Sequence, residues 1–215
     1  MRTLPSLQTI SHRRPRLTRF VDVSLALVVL LMLAPLMLGI ALAVRVIDRQ
    51  SPIYGHRRYG RGGRTFLCYK FRSMAVDADA RLTRLLAADP AARAEWQRDH
   101  KLRRDPRVTS IGRFLRKSSL DELPQLFNIL RGEMSLVGPR PIVAAEVRRY
   151  GRRFADYCSV RPGITGIWQI SGRNDTGYRR RVAMDSMMAR QMSLKLYGRV
   201  LAGTAVSVLR GNGAY

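Results

Sequence analysis

Acidic residues are scarce in this chain of 215 residues: Asp and Glu number 15 against 39 Lys and Arg, a formal net charge of +24. An imbalance of that size calls for a polyanionic partner: nucleic acid, anionic lipid or a phosphorylated substrate. Cysteine is almost absent. Cys68 and Cys158 lie in FLCYKF and ADYCSV, which excludes a disulfide framework and reads as two buried small hydrophobes in a reducing compartment. The three histidines, His12, His56 and His100, lack metal-ligand spacing. Aromatic residues make up only 7% and do not interleave with the basic ones as a stacking platform. With no recognition-helix motif either, nucleic acid is not the expected partner. Internal repeats and low-complexity linkers are also missing.

What the chain has in length is one apolar run. Val23 to Val44 carries no charge and would make about 33 Å of helix, enough to cross a hydrocarbon core of about 30 Å. Pro35 sits near its centre, where it removes a backbone hydrogen bond and leaves arms of ~18 Å, about one leaflet each. Both flanks are basic: Arg13 to Arg19 precede the run, and Arg45, Arg49, Arg57, Arg58 and Arg61 follow it. A straight span would strand one cluster outside, whereas a helix bent at Pro35 keeps both on the cytoplasmic side. A plain span and a re-entrant hairpin both remain open on the residues alone. A signal peptide ending near Ala41-Leu42-Ala43 is a third reading, weakened by the length of the apolar run.

Beyond this segment, residues 51–74 alternate around a Gly60–Gly63 turn and predict a small β-hairpin. Residues 76–98 read as helix interrupted at Asp89-Pro90, and 121–131 and 142–157 also read as helices. Residues 160–173 read as loop and short strand. Residues 178–209 read as amphipathic helix broken near Gly198, either lying among lipid headgroups or facing a core.

The most informative stretch is residues 112–141. Asp121 and Glu122 stand side by side there, with Arg113, Arg116 and Lys117 before them and Arg140 after. A carboxylate pair in a cationic sector suits phosphate-ester chemistry: basic groups hold the anion, and the acids supply a nucleophile and a metal ligand. Ser119-x-x-Glu122 matches a capping box, although Pro124 fits best in a first helical turn, so the register of the cap stays open. Either way the acids would lie at a helix N-terminus. An isolated Asp-Glu pair is usually a solvated helix start. Here Lys70-Phe71-Arg72-Ser73-Met74, Gly138-Pro139-Arg140-Pro141, Arg161-Pro162-Gly163 and Gly172-Arg173 each add a cation beside a residue that stiffens or tightly turns the backbone.

With the motifs YKFRSM (69–74), LRKSSLDELPQLFNILRGEMSLVGPRP (115–141) and RPGITGIWQISGR (161–173), the chain resembles the bacterial sugar transferases, the monotopic polyprenol-phosphate phosphoglycosyl transferases, especially those that begin exopolysaccharide assembly with a hexose phosphate. The resemblance covers about residue 15 to the C-terminus. It implies an α+β, mainly α fold: a basic arm (1–17), a re-entrant membrane helix hinged at Pro35 (18–48), and a cytosolic-face catalytic domain with interfacial helices and a small β element (49–215). It implies transfer of galactose- or glucose-1-phosphate from a UDP-hexose to undecaprenyl phosphate at the bacterial inner membrane, with both termini cytoplasmic. Asp121 would match the nucleophile, Glu122 a Mg²⁺ ligand, and Arg116, Arg140 and Arg173 phosphate- or nucleotide-binding groups. Lys70, Arg72, Arg161 and Asp185 match other substrate-binding motif positions. Anionic lipids would share the docking, and a homodimer is left open. The chain departs from the family pattern at Ala34, at Met187-Met188 and at Tyr197.

Overall fold

The computed structural model describes residues 16–99, 102, 104–171 and 177–209. The basic arm expected over 1–17 therefore lies almost wholly outside the described residues.

The Leu-, Ala- and Val-rich N-terminal sequence forms one helix, α1 (Arg16–Ile47), with Pro35 inside it. The helix formers on either side of Pro35 carry the hydrogen-bonded ladder past the one donor the ring removes. Any change of direction there is carried within one helix rather than by a turn between two. Much of α1 has no protein neighbour. Phe20 is 69% exposed, and Leu27, Val28, Leu31, Met32, Leu36, Leu38, Leu42 and Val46 are also exposed. Contiguous apolar surface of this kind is unstable in water and stable in lipid, and residues 17–47 are long and apolar enough to cross a membrane.

The fold divides into two compact units. The first takes in residues up to Ala34, Gly55–Tyr69 and residues from Pro124 onward; the second takes in Pro35–Tyr54 and Lys70–Leu123. The expected hairpin is present as β1 (Ile53–Tyr59) and β2 (Thr65–Phe71), joined through a 3₁₀ turn at Arg61–Gly63.

In the second unit the core is Ile40, Val44, Phe71 and Leu115, with Met37, Ala41, Ile111, Leu120 and Leu123 against it. Helices α2 (Ala78–Ala88) and α3 (Pro90–Asp99) break at Asp89, as the Asp-Pro step predicts. Asp89 Oδ1 accepts from the N–H groups of Ala91 and Ala92, so it caps α3. Helix α4 (Ser110–Lys117) is not anticipated by the sequence reading. Thr109 caps it, accepting from Gly112 N–H and donating to Asp48 Oδ2 (2.7 Å).

The first unit contains α5 (Gln125–Leu130), β3 (Ser135–Val137), α6 (Ala144–Tyr150), α7 (Phe154–Ser159), β4 (Gly163–Thr165), α8 (Ile167–Ile170), α9 (Tyr178–Gln191) and α10 (Leu194–Leu209). Strands β3 and β4 pair in parallel. Ile142, Tyr150, Phe154, Tyr157, Cys158 and Val182 form the core under Tyr59, Val147 and Tyr178. Both cysteines are free and buried, as expected. The C-terminal break falls at Met192-Ser193 rather than Gly198. Ser193 Oγ accepts from Leu196 N–H and starts a new helix, while Gly198 is accommodated inside α10. Met188 of α9 is fully buried and Met187 is exposed, so α9 presents one side to a protein core.

Polar residues on α1 tie it to this first unit. Arg19 donates to the carbonyls of Ile129 (2.7 Å) and Leu130 (3.2 Å) at the end of α5. Asp22, 2% exposed, accepts from Ser135 Oγ (3.0 Å), Leu136 N–H (2.7 Å) and Tyr197 Oη (2.7 Å). Replacing Asp22 with Leu strands three donors, each a cost of about 1–3 kcal/mol if left unpaired. The expected result is a fall in stability of about 3 kcal/mol or more in thermal unfolding of the detergent-solubilised protein. Asp22→Asn, which keeps an acceptor, should lose clearly less.

Candidate active site

The paired carboxylates sit on a short turn. After α4, Ser119 adopts a left-handed conformation (φ 58°), unusual for a residue with a side chain, and reverses the chain. Leu120–Glu122 then make a single 3₁₀ turn, and α5 begins only at Gln125, after Pro124. The capping box at Ser119 is not formed: the Ser119 side chain caps nothing, because its left-handed backbone leaves the extended geometry that an N-cap requires. The acids thus precede α5 instead of opening it.

The last residues of β2 bring a cation to them. Phe71 is buried in the core of the second unit, and Lys70 beside it reaches Glu122 Oε1 (2.7 Å) and Asp121 Oδ2 (3.6 Å). Asp121 is only 7% exposed. Burial pushes its carboxyl above the usual carboxylate range, Lys70 and Arg116 pull it back down, and Glu122 adds to the rise. Arg116 donates to Ser73 Oγ (3.1 Å); the Ser73 carbonyl accepts from Thr109 N–H (3.1 Å), and its close approach is possible only because Gly112 lacks a Cβ, which would lie 2.0 Å from that oxygen. Arg72 turns elsewhere. Its side chain donates to the Ser51 carbonyl and lies over the Tyr54 ring. Lys70, Arg116, Asp121 and Glu122 therefore form one cluster, while Arg72 braces the segment before β1.

The first unit holds the other basic loops. Gly138 N–H donates to the Thr165 carbonyl and Gly163 N–H to that of Pro139, both at 2.8 Å. A Cβ on Gly163 would lie 2.0 Å from Gly138 N, so the two loops interlock backbone to backbone. Arg140 stacks over Trp168 (5.7 Å), and Arg181 lies over the same ring (5.1 Å). Asp185 is 1% exposed and is raised to about 6, chiefly by burial, while Tyr150 Oη (2.6 Å) donates to it and Arg181 and Arg140 lower it. Arg181 Nε lies 3.8 Å from Asp185 Oδ2, one helical turn away on α9. Trp168 Nε1, Arg181 Nη2 and Asp185 Oδ1 have no hydrogen-bond partner among the described residues, which leaves polar groups for a ligand to satisfy. Arg161 is held by the Gly132 carbonyl (2.7 Å). Arg173 lies outside the described residues.

Among the described residues no three acidic, histidine or cysteine side chains gather to hold a metal. Mg²⁺ takes only one or two protein carboxylates and completes its shell with water and substrate phosphate. Asp121 and the more open Glu122 fit that requirement.

The sequence pattern of the bacterial sugar transferase family matches residues 13–211. The chain belongs to that family. Among bacterial sugar transferases it is 50% identical over 199 residues to the undecaprenyl-phosphate galactose phosphotransferase of Salmonella typhimurium, covering 93% of this chain and 42% of that protein. It is 47% identical over 197 residues to the exopolysaccharide production protein ExoY of Rhizobium meliloti, covering 92% and 87%. It is 40% identical over 202 residues to the UDP-glucose:undecaprenyl-phosphate glucose-1-phosphate transferase of Xanthomonas campestris, covering 90% and 39%. The chain thus spans less than half the length of the first and third relatives.

Several side chains at these sites escape a reading of the sequence alone. Trp168 and Arg181 join Arg140 and Asp185 only in three dimensions. The one linear hint is that Arg181 stands four residues before Asp185, one helical turn away. Arg58, crowded by burial and by Arg140, donates to the Pro141 carbonyl and is another.

Because the Asp121 carboxyl is raised in the folded protein, the folded state binds more protons than the unfolded one across the window between the unfolded value, about 3.8, and the higher folded one, and the stability lost over that window stays lost above it. Ionised Asp121 therefore opposes folding at neutral pH. Asp121→Asn should melt at a higher temperature than wild type at pH 7, and the gain should shrink as pH is lowered toward 4. Lys70→Met should do the reverse at pH 7 by leaving two carboxylates uncompensated. Melting curves across pH check both.

Proposed function

We propose that this chain transfers a hexose-1-phosphate, galactose or glucose, from a UDP-hexose to undecaprenyl phosphate and releases UMP. The observation that carries this reading is the buried Asp121 held beside Glu122 by Lys70, with Arg116 within electrostatic reach. Asp121 Oδ attacks the phosphorus that bears the sugar. The bond from that phosphorus to the oxygen bridging the two phosphates breaks, and UMP departs with that oxygen. A phosphate oxygen of undecaprenyl phosphate then attacks the same phosphorus and frees Asp121.

A carboxylate stripped of water is a better nucleophile but resists ionisation. Lys70 and Arg116 offset part of that resistance. Glu122, helped by Asp121, would hold Mg²⁺, which supplies positive charge to a diphosphate that an anionic group must approach. Arg140 would hold a phosphate or nucleotide, and the unsatisfied atoms around Trp168 and Arg181 suit the polar groups of a sugar or base. The relatives' names support the substrates and the role in exopolysaccharide synthesis.

The exposed apolar side of α1 supports attachment to the inner membrane, with α1 re-entrant at Pro35 and the basic termini on the cytoplasmic face. An acceptor lipid is then met at headgroup depth without extraction.

Purified protein with Mg²⁺, undecaprenyl phosphate and either UDP-galactose or UDP-glucose should release UMP. With labelled sugar and no acceptor, wild type should retain label and Asp121→Asn should not. Asp121→Asn should lose activity by roughly 10³-fold or more. Equal labelling of wild type and Asp121→Asn would rule out the covalent route.

A further inference from the structure

A basic cavity of about 490 Å³ lies within the first unit. Arg61 and Arg64 enter it from the turn between β1 and β2, Arg131 and Glu133 from the segment after α5, and Arg161 from the loop before β4. Four guanidiniums thus face one carboxylate, and Glu133 already accepts a hydrogen bond from Asn128 Nδ2. Among the described residues Arg61, Arg64 and Arg131 have no carboxylate partner; Arg131 donates instead to Tyr69 Oη. The guanidiniums also crowd one another: Arg161 loses basicity through burial and through the charges of Arg19 and Arg61. The excess of positive charge that Arg61, Arg64 and Arg131 bring to one cavity is stabilised by an anion, and guanidinium forks match phosphate oxygens.

The surroundings narrow the class of anion. Arg19, at the start of the apolar helix α1, reaches to within 3.5 Å of where a Cβ on Gly132 would stand, at the wall of the cavity. Leu17 and Phe20 on α1 and Phe127 on α5, whose C-terminal carbonyls Arg19 caps, are all exposed. An arginine cluster linked through Arg19 to elements with uncovered apolar side chains suits a ligand with a phosphate head and a hydrocarbon tail.

We propose that Arg61, Arg64, Arg131 and Arg161 form a binding site for the phosphate headgroup of an anionic glycerophospholipid. The site rests on the membrane-attachment part of the reading above and not on the transfer reaction. A lipid held there fixes the depth and rotation of the first unit at the bilayer surface.

Native mass spectrometry of the detergent-solubilised full chain, titrated with phosphatidylglycerol, tests this. Wild type should carry a single tight phosphatidylglycerol adduct, and phosphatidylcholine should bind far more weakly. The double variant Arg61→Gln/Arg64→Gln removes two exposed guanidiniums and should weaken the adduct roughly thirty-fold, from about 1 kcal/mol for each cation. Arg179→Gln/Arg180→Gln, an equal loss of charge on exposed residues of α9, should leave it unchanged. Equal binding of the two lipids, equal loss in both double variants, no loss in the first, or displacement of the adduct by millimolar inorganic phosphate would each overturn the proposal. UMP release measured on the same preparations separates the readings. A selective adduct without UMP release leaves the lipid site standing and sinks the transfer reaction, and UMP release without a selective adduct does the opposite.

Discussion

A carboxylate that an apolar helix carries and cannot leave in lipid organises the first unit. Asp22 is buried on α1, and one of its oxygens gathers donors from β3 and α10. An unpaired charge in such a setting costs several kcal/mol, so those donors have to be delivered together. Delivering them sets β3 against α1, and β3 in turn sets the parallel partner β4 and the two basic loops that follow and precede these strands. Arg19, one turn earlier, anchors the same helix to the end of α5. The apolar helix and the elements that carry the basic loops are thus joined by hydrogen bonds as well as by apolar packing.

In the second unit the governing problem is like-charge repulsion. Two neighbouring acids, one of them nearly sealed from water, are bridged by one lysine. Lys70 can do this because Phe71 pins the end of β2 into the core, and Arg116 can assist because Gly112 lets the loop holding Ser73 approach α4 without a side chain in between. Burial raises the Asp121 carboxyl, so its ionised form is held at a cost in stability.

Local chemistry was the legible part of the chain. Gly60–Gly63 announces a hairpin turn, Asp89-Pro90 a helix break, and the charge-free run after Asp22 a helix for lipid. The misses have physical causes. A reading that starts the apolar run at Val23 passes over Asp22, whose importance lies in partners more than 100 residues away. Helix α4 carries a glycine in its first turns, which lowers its propensity, and only the Thr109 cap betrays it. The Ser119 register looked like a capping box because sequence spacing does not report a left-handed backbone. Ser193, not Gly198, divides the last helices because a side-chain acceptor starts a helix more decisively than a tolerated glycine ends one. For the site, the acids and Arg116 could be named from their neighbours along the chain. The Lys70 bridge, 52 residues from Glu122, and the Trp168–Arg181 stack could not.

Glycine against glycine where Gly138 meets Gly163 has a consequence for how this scaffold can diversify. The two backbones touch with no side chain to yield, so a one-residue insertion in either loop would shear the other out of register. Arg140 and Arg161 are in effect mounted on a single rigid plank. Variation must then be written into the softer ground around it, on helices such as α8 and α9, which lie outside that backbone contact.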